Sequence, residues 1–244
     1  MTSKKRVVLI TGAESGIGKS TSKIFLDNGY KVIGTYLKNN NNKNTKDIEY
    51  HRIDITKNKD WENLALYIKK KFKKIDVLVN SAGVRLSGNL ETTSMSDWSY
   101  HLNNNVTGTF LACKYILPFL KKAKNSSIIN VASINSIRGA KNMLAYATSK
   151  SAVISFTASL ALDLTKNKIR VNAVAPGAIE TPMLASFKKD LSLKEYQKRM
   201  RENQPIGRVG KPKEVANVIY FLASESASFM TGLTIPVDGG RSIR

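Results

Sequence analysis

The sequence predicts an α/β protein: one doubly wound parallel sheet with helices on both faces. Three observations predict it. Short apolar runs alternate with stretches of helical periodicity along the whole chain, the mark of repeated strand–helix–strand units. The first apolar run passes through a glycine-rich turn straight into a helical pattern. The 244 residues, 42% of them hydrophobic, suffice for one sizeable core. No linker rich in Pro, Gly or Ser divides them, so residues 1–244 are read as a single domain.

The elements follow in order. Val7-Val8-Leu9-Ile10-Thr11 is the first strand, and Gly12-Ala13-Glu14-Ser15-Gly16-Ile17-Gly18 is its turn. Glycine there permits positive φ and lets a ligand approach the backbone. The helix behind it, near 16–28, offers free N–H groups and a positive dipole end to a pyrophosphate. A second strand near 31–36 ends at Gly34-Thr35-Tyr36, and four consecutive Asn between Lys38 and Lys46 read as an exposed loop. A third strand near 48–53 leads to Ile53-Asp54-Ile55, then a helix near 59–73. The fourth strand, near 76–80, closes on Asn80-Ser81-Ala82-Gly83. A long helix near 97–123 carries Pro118 close to its end, where a kink is expected. Strands near 127–132, 169–175 and 233–237 and helices near 144–166 and 212–223 complete the series. Ligands of such sheets sit at the carboxyl ends of the strands, near the point where strand order reverses.

Chemistry concentrates on Tyr146 and Lys150, four apart and so on one helical face. A free phenol has a pKa of about 10. A fixed positive charge nearby lowers it, which would let the phenol exchange protons near neutrality. Ser133 ends the run Ile128-Ile129-Asn130-Val131-Ala132, which puts a hydroxyl at a strand tip able to face the same pocket. A Tyr four before a Lys is by itself also compatible with a core aromatic and a solvated lysine.

Together these residues resemble the short-chain dehydrogenase/reductase family over essentially the whole chain. Thr11 to Gly18 matches its cofactor turn, although Gly-x-x-x-Gly-x-Gly differs from the commoner Rossmann spacing. Asn80-Ser81-Ala82-Gly83 matches its Asn-Asn-Ala-Gly motif with one substitution, and Asn105-Val106-Thr107-Gly108 its Asn-bearing helix. Ser133, Tyr146, Lys150 and Pro176-Gly177 with Thr181 complete the set. The resemblance implies a Rossmann domain with a seven-stranded sheet. It implies Tyr146 as general acid or base, Lys150 lowering its pKa and holding the nicotinamide ribose, Ser133 on the substrate oxygen, and Asn105 in a proton relay. Cofactor contacts are implied for Gly12, Ser15, Gly16, Ile17 and Gly18; for Tyr36 and Lys38; for Asp54 at the adenine, with Ile55; for Asn80, Ala82 and Gly83; and for Pro176, Gly177, Ile179 and Thr181. Asp54 could equally be a turn or cap residue, and Asn80 could tie strands together. Residues 178–210 are implied as the substrate lid, with one or two helices about Phe187–Tyr196.

NADP is the expected cofactor, with NAD possible. No acid ends the second strand to bind ribose hydroxyls, and Lys38 follows. Against this, Ser15 stands where NADP-binding members carry Arg or Lys, and the Glu14 carboxylate would repel a phosphate. The expected reaction is hydride transfer on a carbonyl, in type a 3-oxoacyl-acyl-carrier-protein reductase. A sugar or secondary-alcohol dehydrogenase is the alternative. A non-catalytic dinucleotide sensor or nucleic-acid binder is a third class, which the intact Tyr and Lys oppose.

Lys and Arg number 39 against 18 Asp and Glu, a net charge of +21. The lysines are scattered, with no zinc-ligand spacing or RNA-binding aromatic motif, so nucleic acid is not an expected partner. Such a surface would still attract an acidic carrier protein, and Lys121, Lys122, Lys124 and Lys168 are candidate docking charges. The lone Cys113 lies in an apolar stretch and reads as packing. With no membrane-spanning run and no apolar leader, a cytoplasmic protein is expected. A homotetramer is implied by resemblance.

Overall fold

The computed structural model describes residues 5–38, 44–185 and 192–244. The strands are β1 (Val7–Thr11), β2 (Lys31–Tyr36), β3 (Ile48–Arg52), β4 (Val77–Asn80), β5 (Ser127–Val131), β6 (Arg170–Pro176) and β7 (Thr234–Val237). All pairings are parallel, in the order β3-β2-β1-β4-β5-β6-β7. The helices are α1 (Gly16–Asp27), α2 (Asn58–Lys71), α3 (Met95–His101), α4 (Gly108–Leu120), α5 (Leu144–Leu164), α6 (Pro182–Ala185), α7 (Leu193–Glu202) and α8 (Pro212–Ala223).

Successive side chains of a strand face opposite ways, and here each way is a core. In β1, Val7 and Leu9 enter the layer of Trp61, Ile68 and Ile116, while Val8 and Ile10 enter that of Phe25, Val215 and Ile219. Strands covered on both faces must be apolar throughout, which is why they read as runs. Each large side chain buried this way contributes about 1.5–3 kcal/mol. α5 buries Ala145, Tyr146, Ser149, Lys150, Val153, Thr157, Ala161 and Leu164, a series at three- and four-residue spacing that forms its inner face.

The strand order reverses between β1 and β4. Thr11 pairs with Asn80 there, so the turns after both strands leave the sheet side by side. Thr11 Oγ1 binds them together by accepting the Ser81 and Ala82 N–H groups, each at 3.0 Å. At the opposite edge the buried Asp76 carboxylate accepts the Val7 N–H at 2.8 Å and meets Lys74 Nζ at 2.8 Å, which aligns the starts of the same two strands.

The long helix expected over 97–123 is not continuous. A π-helical segment, Leu102–Thr107, separates α3 from α4. Three consecutive Asn, poor helix formers, occupy it. Pro118 lies inside α4 near its end. Helices α6 and α7 lie within the segment 178–210 expected as a lid, and its residues 186–191, like residues 39–43, lie outside the described ones. Among the described residues no helix is long and apolar enough to cross a membrane.

Candidate active site

A cleft of about 1340 Å³ runs along the carboxyl ends of the strands, from the turn after β1 to Tyr146. Its first end is made of backbone. Gly12 has φ +66°, and a Cβ there would stand 3.0 Å from the Ala82 Cα. A Cβ on Gly18 would lie 2.1 Å from the Gly12 carbonyl oxygen. The turn closes only because both lack side chains. Behind it α1 begins with no side-chain cap bond from Ser15 and no acid in its first turn, leaving the dipole end for an anion. These features, and the length of the cleft, fit a dinucleotide. Gly12, Ser15, Gly16, Ile17, Gly18, Tyr36, Lys38, Ile55, Ala82, Gly83, Pro176, Gly177, Ile179 and Thr181 all line it.

Two expected cofactor contacts do not. The Asp54 carboxylate accepts the Thr56 N–H at 2.9 Å and the Thr56 hydroxyl at 2.7 Å. It shapes the turn before α2, and its neighbours Ile53 and Ile55 face the cleft instead. Asn80 Nδ2 donates to Asn130 Oδ1 at 2.8 Å and lies 3.4 Å from Cys113 Sγ. It is a buried tie between β4 and β5. Buried Cys113 has its thiol pushed up to about 12 by desolvation, so it is packing.

Glu14 lines the glycine-turn end of the cleft. Burial raises its pKa, opposed by hydrogen bonds from its own N–H and that of Leu37. The carboxylate therefore reaches the residue after β2, beside Tyr36, where the sequence itself supplies no acid.

The other end is made of side chains. Ser133, Tyr146 and Lys150 are all buried there and all line the cleft. Ser133 leaves β5 as the cap of a short turn, its hydroxyl accepting the Asn135 N–H at 3.2 Å. The Tyr146 phenol is held above its ordinary pKa because desolvation outweighs the lowering by the Ser133 hydrogen bond and by the Arg85 charge. Lys150 Nζ donates to the Val131 carbonyl at 2.7 Å, and burial brings its pKa down to about 8.

Asn105 is fully buried in the π segment. Its side chain accepts the Val84 N–H at 2.8 Å and donates to the Val84 carbonyl at 3.0 Å and to Ser149 Oγ at 2.9 Å. It clamps the turn after β4 to α5. A Cβ on Gly83 would meet Asn105 Oδ1 at 3.0 Å and Lys150 Nζ at 3.3 Å. Asn105 is thus a positioning residue, one layer behind the cleft.

Two residues were not anticipated. His101 Nε2 accepts the Leu86 N–H at 2.9 Å, and its ring packs edge-on to Tyr146 at 6.3 Å between centroids. Arg85 lies with Cζ 5.8 Å from the Tyr146 ring centroid and lines the cleft. The available signal for Arg85 was a lone cation directly after the Gly83-Val84 turn.

Comparisons with known proteins agree with this geometry. The family model described as enoyl-(acyl carrier protein) reductase matches residues 12–242. The 3-oxoacyl-[acyl-carrier-protein] reductase FabG of Thermotoga maritima is 38% identical over 96% of this chain and 97% of its own. The ligand-free structure of Thermoplasma acidophilum aldohexose dehydrogenase superposes with a TM-score of 0.93 at 35% identity, covering 99% of this chain and 95% of that one. The structure of ElxO with NADP bound has a TM-score of 0.91 at 33% identity, covering 99% and 100%.

Proposed function

The chain belongs to the short-chain dehydrogenase/reductase family, and from that premise we propose that it reduces the 3-oxo group of acyl chains carried on an acyl carrier protein, with NADP(H). The family assignment makes it a nicotinamide-dependent oxidoreductase acting on carbonyl or alcohol groups. The observation that carries the site reading is the convergence of Ser133, Tyr146 and Lys150 at the end of the cleft opposite the glycine turn.

Nicotinamide, when bound, supplies or receives the hydride. The protein's part is the proton and the oxygen. Tyr146 gives its phenolic proton to the carbonyl oxygen on reduction and takes it from the alcohol in reverse. Burial keeps that phenol in its donor form. Ser133 hydrogen-bonds the substrate oxygen and stabilises the charge growing there. Lys150, with a pKa of about 8, returns the proton and holds the ribose. Asn105 fixes the turn that all three face.

Support for the acyl-carrier substrate comes from relatives named for it and from the basic surface, +21 overall. The aldohexose dehydrogenase likeness favours the sugar or secondary-alcohol alternative. For the cofactor, Lys38 at the cleft and the NADP-bound neighbour support NADP. Glu14, reaching Leu37, is the observation that favours NAD. We further propose that 178–210 closes over substrate, that the chain assembles as a homotetramer, and that it works in the cytoplasm.

The test is NADPH oxidation with acetoacetyl-acyl-carrier protein. The wild type turns it over, and Tyr146→Phe loses about 10²–10⁴ in kcat while still quenching on NADPH titration. Turnover of polyols or aldoses with none of the carrier substrate replaces this reading by the alternative.

A further inference from the structure

We propose that Gln204 is a positioning residue for the nicotinamide end of the cleft, its side-chain amide fixing the segment after β6 along which that half of the cofactor lies. The inference rests on the reading of the cleft as a nicotinamide-dinucleotide site and is the same for NADP and NAD.

The segment runs from Pro176 to Thr181, and Pro176, Gly177, Ala178, Ile179 and Thr181 line the cleft. It joins the two ends of the cleft. It leaves β6 beside β5, where Val131 pairs with Val174, and Ser133 follows that strand as the cap of a short turn. Farther on, Thr181 comes against the glycine turn: a Cβ on Gly16 would stand 3.1 Å from Thr181 Cγ2. A dinucleotide reaching from that turn to Tyr146 lays its nicotinamide half along this segment.

The sheet stops holding the chain at Gly177, whose N–H donates to the Val237 carbonyl at 3.0 Å. Glycine leaves the next peptide free to rotate, so Ala178 needs another hold. Its N–H donates to Gln204 Oε1 at 2.8 Å. Gln204 comes two residues after α7 and is buried, while its neighbour Asn203 lines the cleft. Gln204 Nε2 donates to the Arg208 carbonyl, so both ends of the buried amide are used. The fit is close. A Cβ on Gly177 would lie 2.6 Å from Gln204 Oε1 and 2.8 Å from the Asp238 Cα, which places Gly177 between Gln204 and the end of β7.

Other bonds between the two segments are backbone to backbone. Gly210 N–H donates to the Ala178 carbonyl at 3.0 Å, and Glu180 N–H to the Gly210 carbonyl at 2.9 Å. These persist whatever the side chains. The Ala178 N–H depends instead on one side chain, and without it a buried donor is left unpaired. The turn around Gln204 keeps its own backbone bonds, from Gln204 N–H to the Arg201 carbonyl at 3.0 Å and from Gly207 N–H to the Gln204 carbonyl at 2.8 Å. Replacing the amide therefore loosens the cleft wall more than the turn that carries it.

The experiment titrates the whole enzyme and Gln204→Met with NADPH, NADH and ADP-ribose, which lacks the nicotinamide ring. Methionine is of similar length and only a weak acceptor. The two cofactors should each bind about 10-fold more weakly, and ADP-ribose as before. At saturating cofactor, kcat with acetoacetyl-acyl-carrier protein should fall about 10- to 100-fold. Gln204→Glu, which keeps an acceptor oxygen, should recover part of both losses. Equal weakening of ADP-ribose and the cofactors, or a lowered Tm with cofactor binding and kcat unchanged, overturns the proposal and makes Gln204 a packing residue. If Gln204→Met does not fold, amide hydrogen exchange of the wild type decides. Coupling is reciprocal, so NADPH should slow exchange at Ala178 more than ADP-ribose does, and equal slowing overturns the proposal. The binding comparison holds whichever carbonyl compound is reduced. A wild type that binds none of the three ligands overturns the dinucleotide reading itself.

Discussion

The dinucleotide end of the cleft and its substrate end are made from different materials. At the first, contacts are backbone: glycines without Cβ atoms, the open start of α1, and two turns joined through the Thr11 hydroxyl. At the second they are side chains: Ser133, Tyr146 and Lys150, with Arg85 against the Tyr146 ring. A backbone cradle tolerates no added atom. A side-chain wall tolerates substitution but sets proton affinities, as burial does for Tyr146 and Lys150. The contrast teaches where each kind of change should act: bulk at one end, charge and polarity at the other.

The largest effect is expected from bulk. Gly18→Ala places a Cβ 2.1 Å from the Gly12 carbonyl oxygen, a backbone atom that cannot turn aside. Fluorescence titration should show NADPH and NADH binding weakened together by at least about 100-fold, roughly 2.7 kcal/mol. Retained affinity would break the idea that the cradle depends on missing side chains.

A smaller and pH-dependent effect is expected from Lys150. Its folded pKa of about 8 lies below the unfolded value of about 10.4. Between those values the unfolded chain binds more protons, so this group's contribution to stability rises with pH. Below the folded value the contribution is flat. Denaturant unfolding of wild type and Lys150→Met at several pH values should show the wild type gaining on the variant above pH 8, by at most about 1.4 kcal/mol per unit. A constant difference across that window would mean the ammonium is not held against its hydration.

The smallest effect sharpens the comparison at the border between backbone and side chain. Lys38 is exposed, and exposed ion pairs are worth about 0.2–1 kcal/mol. Lys38→Ala should weaken NADPH severalfold and leave NADH unchanged, with the loss shrinking in salt. A variant that binds both equally well from the outset would transfer cofactor choice to Glu14.

Sequence reading reached the strands, the glycine turn and the Ser133, Tyr146 and Lys150 set because each is announced locally. A strand buried on both faces must be apolar, and a turn that close to a helix start must be glycine. For Asp54 and Asn80 the sequence left two readings open, because an acid ahead of a helix reads alike whether it meets a ligand or its own Thr56, and a strand-end Asn alike whether it meets a ligand or the next strand. Helical spacing brings Lys150 onto the right face, but the Val131 carbonyl, supplied by another strand, fixes where its ammonium ends. Arg138 and Arg241 are the extreme case, since they meet only through the order of the sheet.

The π segment at Leu102–Thr107 bears on how this chain tolerates changes in length. Its wider turn sets the rotation between α3 and α4. Removing one residue there would let the helix run regularly, yet would swing His101 and the preceding turn by about 100°, one residue's share of an α-turn. His101 would leave Leu86, and the floor under Tyr146 would go with it. Surface loops absorb insertions and deletions at little cost. The middle of this helix does not, although it is the part a regular helix would gain from shortening.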